Sequence, residues 1–355
     1  MTVSTLAQSI NQINRTINIQ SGLSDLQYQL TSGKVTQHYG GLNLNETLYS
    51  IRARDILSGI ETYEQNITLG EIKMDISLRS IEEAIEQTEG LIGTMINELQ
   101  QGEIDIAHVS DYAASLRERI ESIINVKNDN QFLFAGANGG EQPYNDHGSL
   151  DTFTSLQLQQ WIDGTIDTDQ LISNYSSVND STVGFSAPLA SDASGRVFVR
   201  ASETDDIDYT ILADQAGFKE VLVSLSVLEN LTVLDKVSLD AEDNPLTTVT
   251  APGADSSEQQ DNFFNFFNTM ISDLESSVGE LRDSAKKIQL AQLNIANIKK
   301  QHEGDRVLQE NIVGDIEDAD MTDVAVRVNA LQVQLEASFS VMASLQQVSL
   351  VNYLN

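Results

Sequence analysis

The chain has 355 residues, of which 53 are acidic and 20 are basic, so its formal net charge at pH 7 is −33. Such an acidic surface opposes binding to nucleic acid or to an anionic membrane, since both need clustered lysine and arginine. The sequence contains no cysteine, which excludes disulfides and thiolate metal sites.

The start of the chain does not resemble a targeting segment. The first 20 residues have neither a basic region nor an apolar run, so we expect no cleaved secretory signal. No stretch of about 18 apolar residues occurs, so we expect no membrane insertion. If the protein leaves the cell, it must use a route that does not depend on such a signal.

The first flank predicts long helices. Apolar residues three or four positions apart begin at Leu6, shift phase after Ile17 and resume at Leu23. The turn-forming residues 31–34 should end this helix. A second, longer helix is predicted by a seven-residue series, and a third is expected over about residues 110–131. The members of the series are Ile60, Ile67, Met74, Ile81, Thr88 and Met95.

The middle of the chain has a different composition. All four prolines fall between residues 141 and 260, in a strongly acidic stretch rich in serine, threonine and glycine. Residues 196–200 and 207–211 alternate around a polar turn and predict a β-hairpin. The apolar spacing over residues 218–228 predicts a short helix.

The C-terminal flank again predicts helices. One should start near Phe263 and continue to Ile298, followed by a polar break that contains Gly304, Gly314 and the acidic run 315–320. The last helix should begin near Asp320 or Thr322, either of which can cap it.

These patterns predict a mainly α fold. The N- and C-terminal segments should form a long antiparallel helical bundle or coiled coil, with a small α+β domain inserted in the middle. We expect three parts: a terminal helical core (1–40 with 315–355), a helical stem (41–140 with 258–314) and an outward-facing insertion (141–257).

Both ends of the chain are almost free of charge. Residues 1–30 contain only Arg15 and Asp25, and residues 328–355 contain only Glu336. One heptad buries about two core side chains at roughly 1.5–3 kcal/mol each, whereas fixing its backbone costs roughly 1–2 kcal/mol per residue. We therefore expect the ends to become ordered only when other copies cover them. The predicted assembly interface comprises Leu6, Ile10, Ile13, Ile17, Leu23, Leu26 and Leu30 at the N-terminus, and Val324, Val328, Leu331, Leu335, Met342, Leu345, Leu350 and Leu354 at the C-terminus.

Three short segments resemble the bacterial flagellin and hook-associated protein 3 family. They are Thr-Ser-Gly-Lys at 31–34, Ile-Glu-Asp-Ala-Asp-Met-Thr at 316–322 and Ser-Leu-Val-Asn-Tyr-Leu at 349–354. The last of these, together with residues 131–136 and 142–144, is more similar to the hook–filament junction protein than to a filament flagellin. The resemblance covers about residues 1–144 and 260–355.

The resemblance implies a structural subunit of the extracellular flagellum, exported by the flagellar type III route. Its terminal helices would line a tube, and its middle would project outward. The implied partners are further copies of the chain, hook-associated protein 1, flagellin and an export chaperone. A short flagellin that forms the filament itself is the alternative within the family.

Other function classes have less support in the sequence. A soluble coiled-coil signalling module would need charged, exposed ends. A hydrolase in the acidic middle would have carboxylates such as Asp205, Asp206 and Asp208, but no nucleophile with a base is readable. The four histidines lack metal-ligand spacing, and the acidic run lacks the EF-hand pattern. We therefore predict no catalytic, cofactor-binding or metal-binding residues and no enzymatic activity.

Overall fold

The computed structural model describes residues 2–101, 103–233, 237–238, 251–253 and 255–354. Over these residues the protein is mainly helical. Its long N- and C-terminal helices pack together, and the middle of the chain forms a small mixed part. The predicted fold class, a mainly α antiparallel bundle with a small α+β insertion, is thereby confirmed. No described helix combines the length and the apolarity needed to cross a membrane.

The described part of the chain contains long helices and very short strands. The helices are α1 Thr2–Ser32, α2 Leu44–Gln101, α3 Ile106–Ile124, α4 Gly148–Ile162, α5 Thr168–Ser176, α6 Asp180–Val183, α7 Ala187–Ala190, α8 Ala216–Glu229, α9 Ser256–Glu317 and α10 Met321–Leu354. The strands are β1 Glu103–Ile104, β2 Lys127–Asn128, β3 Gln131–Phe132, β4 Phe198–Arg200, β5 Asp206–Asp208 and β6 Val237–Ser238, which pair antiparallel as β1 with β6, β2 with β3 and β4 with β5.

The seven-residue series predicted for the second helix forms the buried stripe of α2. Every member of the series is at most 4% exposed, from Ile60 to Met95. Seven residues are close to two helical turns, so they return to the same side of the helix. Thr88 is the polar member, and its hydroxyl donates to the carbonyl of Ala84 over 2.7 Å, which satisfies it inside the core.

Helices α2 and α9 run antiparallel, as three pairs between them show. Lys299 Nζ lies 3.1 Å from Glu71 Oε2, Gln292 Nε2 donates to Asp75 Oδ1 over 2.6 Å, and Arg282 pairs with Glu89. Residue numbers thus fall along α9 as they rise along α2, in agreement with the predicted bundle.

Helix α9 is longer than the sequence predicted, and the expected polar break at Gly304 and Gly314 is wrong. The helix continues through both glycines to Glu317. A glycine inside a helix costs only about 1 kcal/mol relative to alanine. No proline interrupts the hydrogen bonds, and buried residues such as Val313 keep the helix packed.

The third helix, α3, ends earlier than predicted because a tight hairpin follows it. Asp105 caps its start by accepting from the backbone N–H of His108. Strands β2 and β3 then pair across Asp129 and Asn130, whose φ angles are 47° and 64°. Aspartate and asparagine tolerate this left-handed conformation better than most residues, so they form the turn.

The chain divides into two compact units, each with residues from both flanks. The terminal unit contains the residues up to Thr62 and from Lys300 onward, and the central unit contains Tyr63–Lys299. Helices α2 and α9 contribute residues to both. The three-part division into terminal core, stem and insertion stays a prediction.

The central unit has an aromatic core. Trp161 is fully buried with its ring centroid 5.2 Å from that of Phe266, and Phe263 stacks on Phe267 at 5.9 Å. The phenylalanine-rich start of α9 is therefore core. The predicted hairpin is present as β4 and β5 but shorter, and the helix predicted at 218–228 is α8.

The β4–β5 hairpin lies close to α2 at a glycine. A Cβ atom on Gly70 would come within 2.1 Å of Val199 Cγ2, so no larger residue fits there without movement of the strand. Val199 is 4% exposed in this contact, and its neighbour across the hairpin is Ile207.

Candidate assembly interface

Helices α1 and α10 pack against each other through a small apolar cluster. Leu26, Val324 and Val328 are buried in it, and Leu23 and Leu331 pack on it while partly exposed. The cluster lies in the second half of α1 and the first half of α10, so the two helices are antiparallel. We call this contact the inner seam.

The inner seam becomes polar further along the two helices. Thr16 and Ser338 are buried there, and the Thr16 hydroxyl donates to the carbonyl of Gln12 over 3.0 Å. A groove of about 500 Å³ runs beside them between Arg15 and Val341. Small hydroxyl residues fill less volume than leucine, so this part of the pair has less apolar contact than the cluster.

The N-terminal apolar series lies on two different sides of α1. Ile10, Ile13 and Ile17 are 49%, 46% and 55% exposed, whereas Leu26 is buried in the inner seam. At about 100° per residue, Ile10 and Ile17 are turned away from both Thr16 and Leu26, whereas Ile13 is turned away from Leu26 and is only about 60° from Thr16. The phase shift in the sequence after Ile17 is therefore a change of side, from an outward stripe to the inner seam.

Helix α10 is apolar on two opposite sides. Val324 and Val328 face the inner seam, while Val326 and Val333 are 62% and 65% exposed on the other side. Val341, which is 47% exposed, instead borders the groove between α10 and α1. A helix that is apolar on opposite sides is typical of one covered on both, and α1 covers only one of them.

The residues predicted for the assembly interface fall into distinct environments. Those brought together in the inner-seam cluster are Leu23, Leu26, Val324, Val328 and Leu331. Leu335 and Met342 are half-buried on the same side of α10. Exposed members are Ile10, Ile13, Ile17 and Leu30. The side chains of Leu6, Leu345, Leu350 and Leu354 lie outside the described residues. A role for all of these residues in contacts between copies stays a prediction.

A short backbone ladder fixes the start of the inner seam. The N–H of Val35 donates to the carbonyl of Glu317 over 2.7 Å, and the N–H of Ala319 donates to the carbonyl of Gly33 over 2.8 Å. Gly33 has a φ of 69°, a left-handed conformation that glycine adopts without steric cost. Lys34 adds an ion pair to Asp318 with a 2.6 Å separation of Nζ and Oδ1.

Glu317 is the electrostatic centre of this region. Its carboxylate accepts from Arg54 Nε over 2.9 Å and from the Ser50 hydroxyl, and Lys34 Nζ lies 3.8 Å away. The side chain is only 11% exposed. The Arg54 hydrogen bond is the main reason why the pKa of Glu317 is lowered to about 2. We call residues 33–35 and 317–319, with Ser50 and Arg54, the terminal clasp.

The clasp was not predicted from the sequence, although the acidic run that contains Glu317 was. The partner Arg54 lies 263 positions away, and no local pattern connects the two. The predicted cap in the same run is confirmed: Asp320 Oδ1 accepts from the N–H of Thr322 over 2.9 Å and of Asp323 over 3.2 Å.

Comparison with known proteins identifies the C-terminal part of the chain. Residues 265–354 match the model of the bacterial flagellin C-terminal helical region. A comparison with curated proteins gives no match. Among solved structures, a Vibrio parahaemolyticus protein assigned as a flagellar hook-associated protein superposes with a TM-score of 0.49 at 12% identity, over 77% of this chain and 98% of that one. At this TM-score and identity, the similarity does not assign a function to the chain.

The matched region contains most of α9 and all of α10, and therefore both sides of the α10 helix described above. The resemblance to the flagellin family that the sequence predicted is thus supported over residues 265–354, the region that the family model matches.

Proposed function

We propose that this flagellin-type chain is a structural subunit of the bacterial flagellum that assembles with further copies through its terminal helices, at the junction between hook and filament. The observation that supports this most is the two-sided apolar character of α10. One side packs on α1, and the other exposes Val326 and Val333. An exposed aliphatic stripe on a helix of this length is explained by a neighbour that covers it.

The remaining charge distribution supports the same role. A net charge of −33 keeps separate copies in solution, while the nearly uncharged terminal helices can approach one another without burying ionised groups. We propose export to the cell exterior by the flagellar type III route, and partners that include hook-associated protein 1, flagellin and an export chaperone. The role proposed is structural and not catalytic.

The position at the junction rests on sequence resemblance at residues 131–136, 142–144 and 349–354. The alternative is a short flagellin that forms the filament itself, which the match of residues 265–354 favours equally. The two roles differ in copy number, because a junction needs few subunits and a filament needs many.

Immunogold labelling with antibodies against residues 141–260 tests both roles. Label confined to the base of the filament supports the junction, and label along the filament supports the flagellin alternative. Deletion of the gene gives an independent readout. Loss of a junction protein should release flagellin into the medium, whereas loss of the flagellin should leave a hook without a filament. Flagella that assemble normally and carry no label would contradict both.

A further inference from the structure

The central unit contains a cleft that the assembly function does not use. It lies between the end of α5, helix α8 and helix α9, far along the chain from the inner seam. Its volume is about 130 Å³. The lining residues that matter for its chemistry are Tyr175, Glu220, Val223, Ser224, Met270 and Asp273.

One buried hydroxyl group in this cleft, that of Tyr175, lacks a hydrogen-bond partner among the described residues. Tyr175 is 3% exposed, its ring packs edge-on against Phe153 at 6.4 Å, and its hydroxyl has no hydrogen bond to any described residue. Ser224 is 4% exposed and lines the same cleft. A buried hydroxyl without a partner is unfavourable, so a molecule that bonds to it would gain affinity.

Two carboxylates on facing helices give the cleft a negative charge. Burial alone raises the pKa of Asp273 on α9. Burial is also the largest cause of the raised pKa of Glu220 on α8. Asp273 has no ion pair with any described residue. Glu220 accepts one long hydrogen bond, at 3.4 Å from the Ser277 hydroxyl.

Lys219 offsets the negative charge of the cleft only in part. It lines the cleft and lowers the pKa of Glu220, but its Nζ also lies 2.7 Å from Asp180 Oδ1. Glu280 lies close enough to raise the pKa of Glu220 further. The cleft therefore has an excess of carboxylates in partly buried surroundings, where a bound cation is favoured.

The walls of the cleft are apolar. Val223 and Met270 are buried, at 6% and 2% exposed, and Val178 and Val227 complete this surface. A cavity of about 150 Å³ holds a benzene molecule, so this cleft has room for about four or five carbons. An alkyl chain fits these walls better than a hydrated inorganic ion does.

We propose that this cleft binds a primary alkylammonium group, with its alkyl chain against Val223 and Met270 and its nitrogen between Glu220 and Asp273. An ammonium carries three N–H donors and no acceptor. Two of them reach the carboxylates and the third reaches the oxygen of Tyr175 or Ser224. The ligand satisfies both buried hydroxyl and carboxylate groups at once, which a neutral alcohol of the same size cannot do.

Two sources provide this chemistry: a free small amine, or the lysine side chain of another polypeptide. Titration calorimetry on the full-length chain at pH 7.5 distinguishes them, with n-butylammonium for the first and N-acetyl-lysine amide for the second. n-Butanol is the neutral control. We expect an amine to bind at least tenfold more tightly than n-butanol. Binding of both amines, or of one alone, supports the proposal. The amine that binds more tightly shows whether the ligand is a free amine or a lysine side chain.

Matched variants locate the site. Asp273→Asn should weaken amine binding by at least tenfold and Tyr175→Phe by about threefold, while Asp283→Asn, an exposed residue elsewhere on α9, should leave it unchanged. The fluorescence of the buried Trp161 reports whether each variant is folded, and Glu220→Gln replaces Asp273→Asn if the latter is not. The proposal is overturned if neither amine binds, if n-butanol binds as tightly, or if folded carboxylate variants bind normally. It does not depend on assembly, so its failure leaves the flagellar role intact.

Discussion

The guanidinium of Arg54 on α2 donates from Nε to Oε1 of Glu317, the last residue of α9, over 2.9 Å. This hydrogen bond joins residues from the two flanks of the chain beside the two backbone hydrogen bonds of the terminal clasp. The clasp thus holds the position where α1 and α10 meet, and it has more polar contacts than the inner seam that follows it.

Removing the Arg54 side chain should weaken the clasp. Arg54→Ala leaves the carboxylate of Glu317 with Ser50 and a distant Lys34, and we expect a loss of about 1–2 kcal/mol in the stability of the terminal unit in assembled protein. Hydrogen exchange at the Val35 and Ala319 amides measures it, as faster exchange. Arg52→Ala is the matched control, because Arg52 is exposed and has no ion pair with a described residue. Equal exchange in the two variants would contradict the role of Arg54.

The clasp should lose stability in acid. The pKa of Glu317 is lowered from 4.5 to about 2, so its ionised form is favoured by folding. Its contribution is fully present above about pH 4.5 and disappears as the pH falls toward 2. Thermal unfolding of assembled wild type and Glu317→Gln should therefore differ most at neutral pH and converge near pH 2. A difference that is constant over this range would show that the carboxylate charge contributes nothing.

The outward stripes should control polymerisation. Ile13→Asp and Val333→Asp place a charge on exposed positions, so we expect polymerisation to fail while the unfolding transition of the central unit stays the same. Sedimentation measures the first and calorimetry the second. Ile13→Val is the control and should polymerise. If both aspartate variants form normal polymers, the proposed contact between copies is wrong.

Leu331→Asp is a different test, because Leu331 packs on the inner-seam cluster. The charge would lie against Leu26 and Val328, so we expect it to separate α1 from α10 within one molecule. Proteolysis should then remove both terminal helices faster than in Val333→Asp. If Leu331→Asp and Val333→Asp are cut at the same rate, the inner seam contributes little to the order of the ends.

The central unit should be stable without assembly. Trp161 is the only tryptophan of the chain and is fully buried against Phe266. Phe266→Ala creates a cavity beside it and should destabilise this unit by about 3–5 kcal/mol. Denaturant titration followed by tryptophan fluorescence measures the loss in unassembled protein, with Phe198→Ala as an exposed aromatic control. A similar effect of both changes would place the core elsewhere.

The sequence predicted the helices best where many residues repeat one spacing. The series through Ile67 and Met74 predicted the buried stripe of α2, because a seven-residue period and the helical turn nearly coincide. The break at Gly304 was wrong, because glycine reads as a turn signal locally while packing along α9 outweighs its small cost. The role of the charge-poor ends in assembly stays a prediction, and the sides of α1 and α10 could not be assigned before their contact was known.

Sites that join distant parts of the chain were not predictable. Arg54 and Glu317 are both ordinary charged residues in charged surroundings. They meet because α2 and α9 are antiparallel and because the ladder between residues 33–35 and 317–319 holds the end of α9. The amine cleft likewise combines α5, α8 and α9, and nothing in the sequence near Tyr175 indicates that its hydroxyl is unpaired.

The two-sided α10 helix has a consequence for how a polymer ends. If a newly added copy covers the stripe of Val326 and Val333 on the copy before it, its own stripe is left bare. Each addition then exposes the same apolar stripe again at the end of the polymer, so the subunit itself does not define how many copies are added. Growth would stop only when a different protein with a complementary surface covers the stripe of the last copy. The length of such a structure is then determined by the protein that follows it.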